Sequence, residues 1–455
     1  MSISEAVTYF LSFKSYVVLP VIIFVLALVF RMNPMDALKS SLLIGIGFIG
    51  IFMSFNYFVS IVDPVVQALI ARSGLNMGVL DTGWPPLAAV TWSFNLTPLF
   101  LLIFMVINIL MLILRWTKTV DIDIWNYWHV LFAAILVYGV TSSVPLTLIS
   151  GILAFIITLK LSDWTAPAIN RVSGMNGICI PHLSAITHYP IALAVNSLFD
   201  RIPGFNKLEA DPDKLKSAIG MFADPMFLGL IIGAGLGIGA GYDLKQTSEL
   251  AFGFSAVVYI LPRMSGILGS ALVPVSEAMK EFIRKYLPGM GTTYIGLDVA
   301  VLFSMPSAVV TAILLMPVSI ILAFVLPGVR FIPLGDLTNL LVPMSIICVA
   351  TRGNVIRAFI IGVPVVIANL YIATALSPLL TNLTAAAPSK VVEYQGALTS
   401  FLDGGQIFRA WWTGLFTLNP VSLALIPVAA VLLYVTWRQS KRDRLTEASE
   451  QIAVR

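Results

Sequence analysis

The second half of this chain repeats the first, weakly but in register. Val62-Asp63-Pro64-Val65-Val66-Gln67-Ala68-Leu69 echoes Leu272-Val273-Pro274-Val275-Ser276-Glu277-Ala278-Met279. Leu80-Asp81-Thr82-Gly83-Trp84 falls where Tyr294-Ile295-Gly296-Leu297-Asp298 falls, and Asp123-Ile124 finds its counterpart in Asp336-Leu337. The offset stays at 210–217 residues throughout (62 to 272, 81 to 298, 123 to 336). Each half thus hides a carboxylate in otherwise apolar sequence broken by Gly, Trp or Pro. An internally duplicated apolar chain with interrupted segments at matching places is the pattern of a membrane transporter whose site lies between its repeats.

The apolar reading rests on composition. Of 455 residues 58% are hydrophobic and 11% charged, against about 45–50% and about 25% in soluble domains. A soluble protein of this length has no place to hide that much apolar surface, so the expected solvent is lipid. Spanning runs lie near residues 15–31, 38–61, 95–114, 127–142 and 145–161, then near 219–241, 248–271, 303–326, 338–351 and 355–376, with a last one at 421–437. The expectation is an all-α integral membrane protein of about 11 transmembrane helices. The first run carries no basic leader or small-residue cleavage site and is read as a retained span. The expected units are a first five-span repeat over 1–200, a connector at 201–217, a second repeat over 218–420, and a final span with a charged, frayed tail over 421–455.

Lys and Arg set the expected orientation. With the N-terminus outside, the outer side holds six of them (Lys14, Arg72, Lys245, Arg330, Lys390 and Arg409) and the inner side about twenty, including the connector and the Arg438–Arg444 tail. The net charge of +4 therefore reads as membrane topology, with a cytoplasmic C-terminus, rather than as nucleic-acid binding. Five spans is an odd number, so the two repeats are expected to be inverted relative to each other. Four stretches, 62–94, 174–199, 273–302 and 390–418, fit neither span nor loop. They read as re-entrant hairpins or broken helices, which survive at membrane depth only inside protein or along a cavity.

Few residues qualify for chemistry. The three histidines, His129, His182 and His188, all lie in or beside apolar segments, where an ionisable group is costly and functional by default. His182 follows Gly177-Ile-Cys-Ile-Pro181 in a broken segment and reads as a binding residue; the alternative is a bond to a freed backbone carbonyl. His129 ends Asp123-Ile-Trp125-Asn126-Tyr127-Trp128-His129, a run that interfacial anchoring also explains. His188 reads as structural. Asp81 and Asp298 stand at equivalent places, as acceptors for a polyhydroxy solute or as helix caps at hairpin tips. Trp84-Pro85 follows Asp81 directly, an indole suited to the apolar face of a sugar or simply to packing. Asp336 reads as a cap. Gly233, Gly237 and Gly241 recur at every fourth position, as close helix packing in lipid requires, with no G-x-G-x-x-G spacing. Cys179 and Cys348 sit in apolar surroundings, which excludes a disulfide framework, a metal cluster and an activated thiol. The chain contains no H-E-x-x-H, P-loop or G-x-S-x-G, so a membrane enzyme is disfavoured and no cofactor or metal is expected.

Together Gly45-Ile-Gly-Phe-Ile-Gly50, Asp81-Thr-Gly-Trp84-Pro85, Val120 to His129, Ile180-Pro181-His182, Ala240-Gly-Tyr-Asp243, Ile295-Gly-Leu-Asp298 and Leu334-Gly-Asp336-Leu cover nearly the whole chain in order. In these stretches the sequence resembles the membrane-embedded IIC component of the galactitol-specific phosphoenolpyruvate-dependent phosphotransferase system, of the ascorbate–galactitol superfamily. The resemblance implies a homodimer in the bacterial inner membrane, with a core domain sliding elevator-fashion against a V-shaped scaffold. It also implies uptake of galactitol or a related polyol, phosphorylated by separate cytosolic IIB and IIA proteins. By the same resemblance Trp84, Pro85, His129, His182 and Asp298 hold the substrate, with Asp81 added on symmetry. After Trp84 the chain reads Pro-Pro-Leu-Ala-Ala where the galactitol pattern has Pro-Gly-Ser-Ser, which leaves the polyol open. The alternative is an ion- or proton-coupled secondary transporter on the same fold.

Overall fold

In the computed structural model, residues 13, 15–74, 77–121, 123–175, 177–205, 220, 224–286, 293–387 and 396–453 are described. The connector 201–217 lies outside them beyond Phe205, as do Lys14 and Lys390. The described residues are mostly helical, and each of the eleven expected apolar runs overlaps helix. The first half runs α1 (Ser15–Val29), α2 (Pro34–Ser73), β1 (Val79–Asp81), α3 (Pro85–Trp92), α4 (Thr97–Ile113), β2 (Thr119–Asp121), α5 (Trp125–Thr141), α6 (Val144–Ser173), β3 (Ile178–Cys179), α7 (Leu183–Ile186) and α8 (Tyr189–Phe199). The second runs α9 (Pro225–Ala240), α10 (Leu244–Tyr286), β4 (Tyr294–Gly296), a 3-10 turn (Val299–Ser304), α11 (Pro306–Val325), a second 3-10 turn (Leu337–Leu340), α12 (Leu341–Ala350), α13 (Val355–Ala385), β5 (Ala397–Thr399), α14 (Ile407–Phe416), α15 (Pro420–Ala424) and α16 (Ile426–Ala453). Both halves open on a helix, a very long helix and a strand, and each later runs from a long helix through a short strand into another helix (α6–β3–α7 and α13–β5–α14).

Helix length does not by itself carry eleven full spans. Among the described residues four helices are long and apolar enough to cross a bilayer, at Pro34–Leu69, Val144–Ser173, Pro306–Val325 and Val355–Ala385, and α3 with α4 makes a fifth if that pair, bent by 88°, is one span. Others are apolar but only 10–17 residues long, about 15–26 Å of helix against a hydrocarbon core of about 30 Å.

Three expectations about particular segments need correction. The stretches 62–94 and 273–302 leave helix later than expected, because α2 and α10 continue as helix through 73 and 286 despite Pro64 and Pro274. A proline removes one helical hydrogen bond, and these two long helices pack side by side, which holds them through it. The C-terminal tail is helix rather than frayed chain: Asp443 accepts from Arg171 at 3.2 Å, and Arg444 Nη2 donates to the Asp163 carbonyl at 2.8 Å, tying α16 to α6. Arg409, counted among outward loop cations, is fully buried.

The glycine stripe behaves as lipid packing requires. A Cβ on Gly229, Gly233 or Gly237 would come within 2.9, 2.7 or 3.1 Å of the Cα atoms of Ser255, Ala251 or Thr247, so α9 lies backbone-close on α10. Gly241 has a different task, ending α9 at φ +75°.

The strands had no signal in the hydrophobic pattern. Where the chain leaves helix inside the protein its N–H and C=O groups still need partners, and strands of two or three residues supply them across the two halves. β1 lies parallel to β5, Asp81 opposite Thr399. β4 lies between β2 and β3, with Asp121 and Cys179 flanking Gly296. The first-half strand β1 thus pairs with the second half, and the second-half strand β4 is held between two strands of the first.

Candidate substrate-binding site

Two carboxylate pairs, related by the sequence duplication, stand where these strands end, and they are used differently. In the first, Asp81 Oδ1 accepts from the Gly83 and Phe401 N–H groups at 3.2 and 2.9 Å, and Oδ2 from those of Gly335 and Asp336 at 2.8 and 3.2 Å. Both oxygens are occupied, by backbone from both halves. Asp336 sits at the N-cap position of its own 3-10 turn, but its carboxylate takes no backbone N–H from that turn. It caps the other half instead, accepting from Trp84 N–H at 3.0 Å, and also from the Asn339 amide, Ser400 Oγ and Leu402 N–H. The pair clamps the Asp81–Trp84 turn, in which Gly83 adopts φ +67° hard against Gly335, and so fixes Trp84 and Pro85 at the start of α3. Pro86, Leu87 and Ala88, where the chain departs from the galactitol pattern, are buried in α3.

In the second pair one oxygen is spare. Asp123 Oδ1 accepts from Trp125 N–H and Oδ2 from Asp298 N–H, both at 3.1 Å. Asp298 Oδ1 caps the 3-10 turn through Ala300 N–H at 2.8 Å. Its Oδ2 lies 3.7 Å from His182 Nε2, with the Asp298 side chain 24% exposed and that of His182 4%.

Around Asp298 the structure gathers the residues marked in the sequence. The His129 and His182 rings stack with centroids 3.7 Å apart, and Trp128 covers the other face of His129 at 3.8 Å. Trp84 and Trp125 stand 6.2 and 5.9 Å from Trp128. His129 Nε2 and His182 Nδ1 are buried with no hydrogen-bond partner, so two ring nitrogens are desolvated and unsatisfied, which costs about 1–3 kcal/mol each. His188 Nδ1 lies 3.3 Å from the Ala185 carbonyl.

Three residues that join this cluster were not marked in the sequence: Ser184, Asp403 and Arg409. Asp403 and Arg409 form a buried ion pair at 2.6 Å, and Ser184 Oγ donates to the same Asp403 oxygen at 2.6 Å. Ser184 Oγ also lies 3.0 Å from His129 Nδ1. Through Ser400, whose hydroxyl accepts from Asp403 N–H and donates to Asp336, this group is continuous with the Asp81–Asp336 clamp. A signal was there: Asp403-Gly-Gly-Gln-Ile-Phe-Arg409 sets opposite charges six residues apart in apolar sequence, where such charges pair or function.

The cluster is better suited to a hydroxylated ligand than to a metal. His129, His182 and Asp298 do offer one ligand atom each within 4.8 Å of one another. But the two imidazole rings lie face against face, centroids 3.7 Å apart and tilted by 37°, whereas imidazole ligands meet a metal edge-on through in-plane lone pairs. Cys179 and Cys348 are buried free thiols, bonded at most weakly to Thr119 and Thr311.

A helical membrane-type fold that buries a polar cluster between its halves, walled by tryptophan, is the arrangement a permease uses. The family described as "PTS system sugar-specific permease component" matches residues 9–391, and the chain belongs to it. A putative permease IIC component of Escherichia coli (strain K12) is 30% identical over 436 residues, covering 95% of this chain and 99% of that protein. The PTS system galactitol-specific EIIC components of Escherichia coli K12 and O157:H7 are each 30% identical over 442 residues, covering 96% of this chain and 97% of theirs. The chain is therefore a multi-pass membrane transport subunit, with a sugar-class substrate and cytosolic phosphotransferase partners.

Proposed function

We propose that this protein is the IIC permease for galactitol or a closely related polyol, which a cytosolic IIB protein, recharged by IIA, phosphorylates as it is delivered inward. The galactitol-specific relatives support the substrate class, and one feature of the site carries the reading. The His129 and His182 rings, each with an unpartnered nitrogen, stack on each other, and the spare Asp298 oxygen lies 3.7 Å from His182 Nε2, beside tryptophan faces, where a polyol presents hydroxyls to accept from and C–H edges to cover. Trp84, Pro85, His129, His182 and Asp298 are the contact residues in this reading. Asp81 acts one step removed, holding the turn that presents Trp84.

The architecture proposed is two inverted five-span repeats and a final span, N-terminus outside and C-terminus cytoplasmic. Strands exchanged between the halves and the pairing of α1–α2 with α9–α10 are what such repeats require. We assign α1, α2, α9 and α10 to a V-shaped scaffold of a homodimer, and the remainder to a core that moves against it. Because the rings touch and the nitrogens are buried, substrate entry requires the cluster to open beside Asp298.

Uptake of labelled galactitol by vesicles holding the protein, with and without IIA, IIB and a phosphoryl donor inside, tests this. Accumulation as the phosphate, dependent on IIB, is expected. Concentrative uptake of unmodified polyol driven by a proton or sodium gradient would instead favour secondary transport. Binding of no hexitol or pentitol by the purified protein would remove the substrate assignment.

A further inference from the structure

We infer that Ser184, Asp403 and Arg409 act as a proton-fixing clamp that holds His129 as its Nδ1–H tautomer, leaving Nε2 as a hydrogen-bond acceptor for one substrate hydroxyl. The inference rests on the polyol-site reading above and deepens it.

The argument is a count of protons. Arg409 is always charged and only donates. Its Nη1 donates to Asp403 Oδ1 at 2.6 Å and to the Asp403 carbonyl at 3.0 Å; its Nη2 donates to the His129 carbonyl at 3.0 Å and to Ser184 Oγ at 2.8 Å. Ser184 Oγ thus spends one lone pair on Arg409. It has a single proton and two oxygen or nitrogen neighbours that compete for it, Asp403 Oδ1 at 2.6 Å and His129 Nδ1 at 3.0 Å. Were that proton aimed at His129, the Ser184 oxygen and a carboxylate oxygen would face each other at 2.6 Å with nothing between them. The proton therefore goes to Asp403, in the shorter, charge-assisted bond.

What remains on Ser184 is one lone pair, and it faces His129 Nδ1. Only an N–H there makes a bond. Asp403 Oδ1, 3.6 Å from the same nitrogen, also favours a hydrogen at that position. In the neutral imidazole Nε2 then has no hydrogen and accepts. That atom is buried without a partner. Arg409 is in turn locked: its side chain has no exposure, and its guanidinium lies 5.0 Å from the Phe132 ring centre.

Ser184 is on α7, Asp403 on the segment joining β5 to α14 and Arg409 on α14, whereas His129 is on α5. They are positioning residues, since no proposed ligand contact is theirs. The functional consequence is selectivity of a stated kind. A site whose buried acceptor must receive an O–H discriminates against an analogue lacking that hydroxyl, because the acceptor is then left unpaired.

The test uses the full-length protein in lipid with 15N-labelled histidine. With three histidines in the chain, single His→Gln variants assign the signals. The expected wild-type spectrum, without ligand, shows a protonated nitrogen at His129 Nδ1 and an unprotonated one at Nε2. Ser184→Ala should mix the tautomers and weaken galactitol binding about five- to tenfold; Ser184→Thr, which keeps the hydroxyl, should restore both. A merely structural serine would change thermal stability without moving the tautomer. An unprotonated Nδ1 in the wild type overturns the inference, whether or not any variant folds. If the tautomer is as stated but His129→Gln binds galactitol normally, the site assignment fails and the clamp stands.

Discussion

Replacing Asp298 by Asn separates a structural oxygen from a functional one on the same side chain. Oδ1 caps the 3-10 turn through Ala300 N–H at 2.8 Å, while Oδ2 faces His182 at 3.7 Å. Asparagine is as good an N-cap as aspartate, and the bond from Asp298 N–H to Asp123 comes from the backbone. Folding stability of Asp298→Asn should therefore stay within about 0.5 kcal/mol of wild type. The ligand side loses a charged acceptor, and hydrogen bonds to charged groups contribute roughly 1.5–3 kcal/mol, about one to two decades in affinity. Asp298→Ala should bind at least as poorly and, by removing the cap, should also lose about 0.5–2 kcal/mol of stability. Equilibrium binding of labelled galactitol, run beside thermal unfolding in the same detergent, reads both quantities. A full-affinity Asn variant, or affinity lost only in step with stability, would refute the division of labour between the two oxygens.

The Asp81–Asp336 clamp should behave in the opposite way. Asp336→Asn turns an acceptor that serves Ser400 and Leu402, or Trp84 and Asn339, into a donor facing donors, so unfolding should come about 2–4 kcal/mol easier; unchanged thermal stability would contradict the clamp. Cys179→Ser and Cys348→Ser should leave IIB-dependent galactitol phosphorylation largely intact, because both thiols are buried against threonine hydroxyls, Cys179 at Thr119 and Cys348 at Thr311, rather than at the His129–Asp298 polar atoms; a folded variant with phosphoryl transfer abolished would count against that. Cysteines introduced in the connector 201–217 and in the Arg438–Arg444 segment should react with impermeant reagents only from the cytoplasmic side, and outside labelling of the connector would overturn both the orientation and the inverted repeats.

The sequence alone determined the class of solvent, the positions of the helices and the family, because these depend on local composition and on motifs kept in order along the chain. It also marked Trp84, His129, His182 and Asp298, since a polar or aromatic group in a broken apolar segment stands out without any knowledge of its neighbours. What it left ambiguous was the use of each carboxylate. Asp81 and Asp298 occupy equivalent places in the duplication, yet one spends both oxygens on backbone N–H groups from the other half and the other keeps an oxygen free. Asp336 reads as a cap and is one, but for Trp84, 252 residues away. Helix continuity through Pro64 and Pro274 depended on the pairing of α2 with α10, which no window of sequence contains. The strands needed partners from the opposite half before they existed at all. Arg409 looked like a loop cation because charge predicts exposure on average; only the fold brings Asp403, Ser184 and the His129 carbonyl around it, and a buried charge is stable only with such partners. Local pattern thus decides where chain enters and leaves helix, while long-range hydrogen bonding decides which polar atoms remain unsatisfied and available to a ligand.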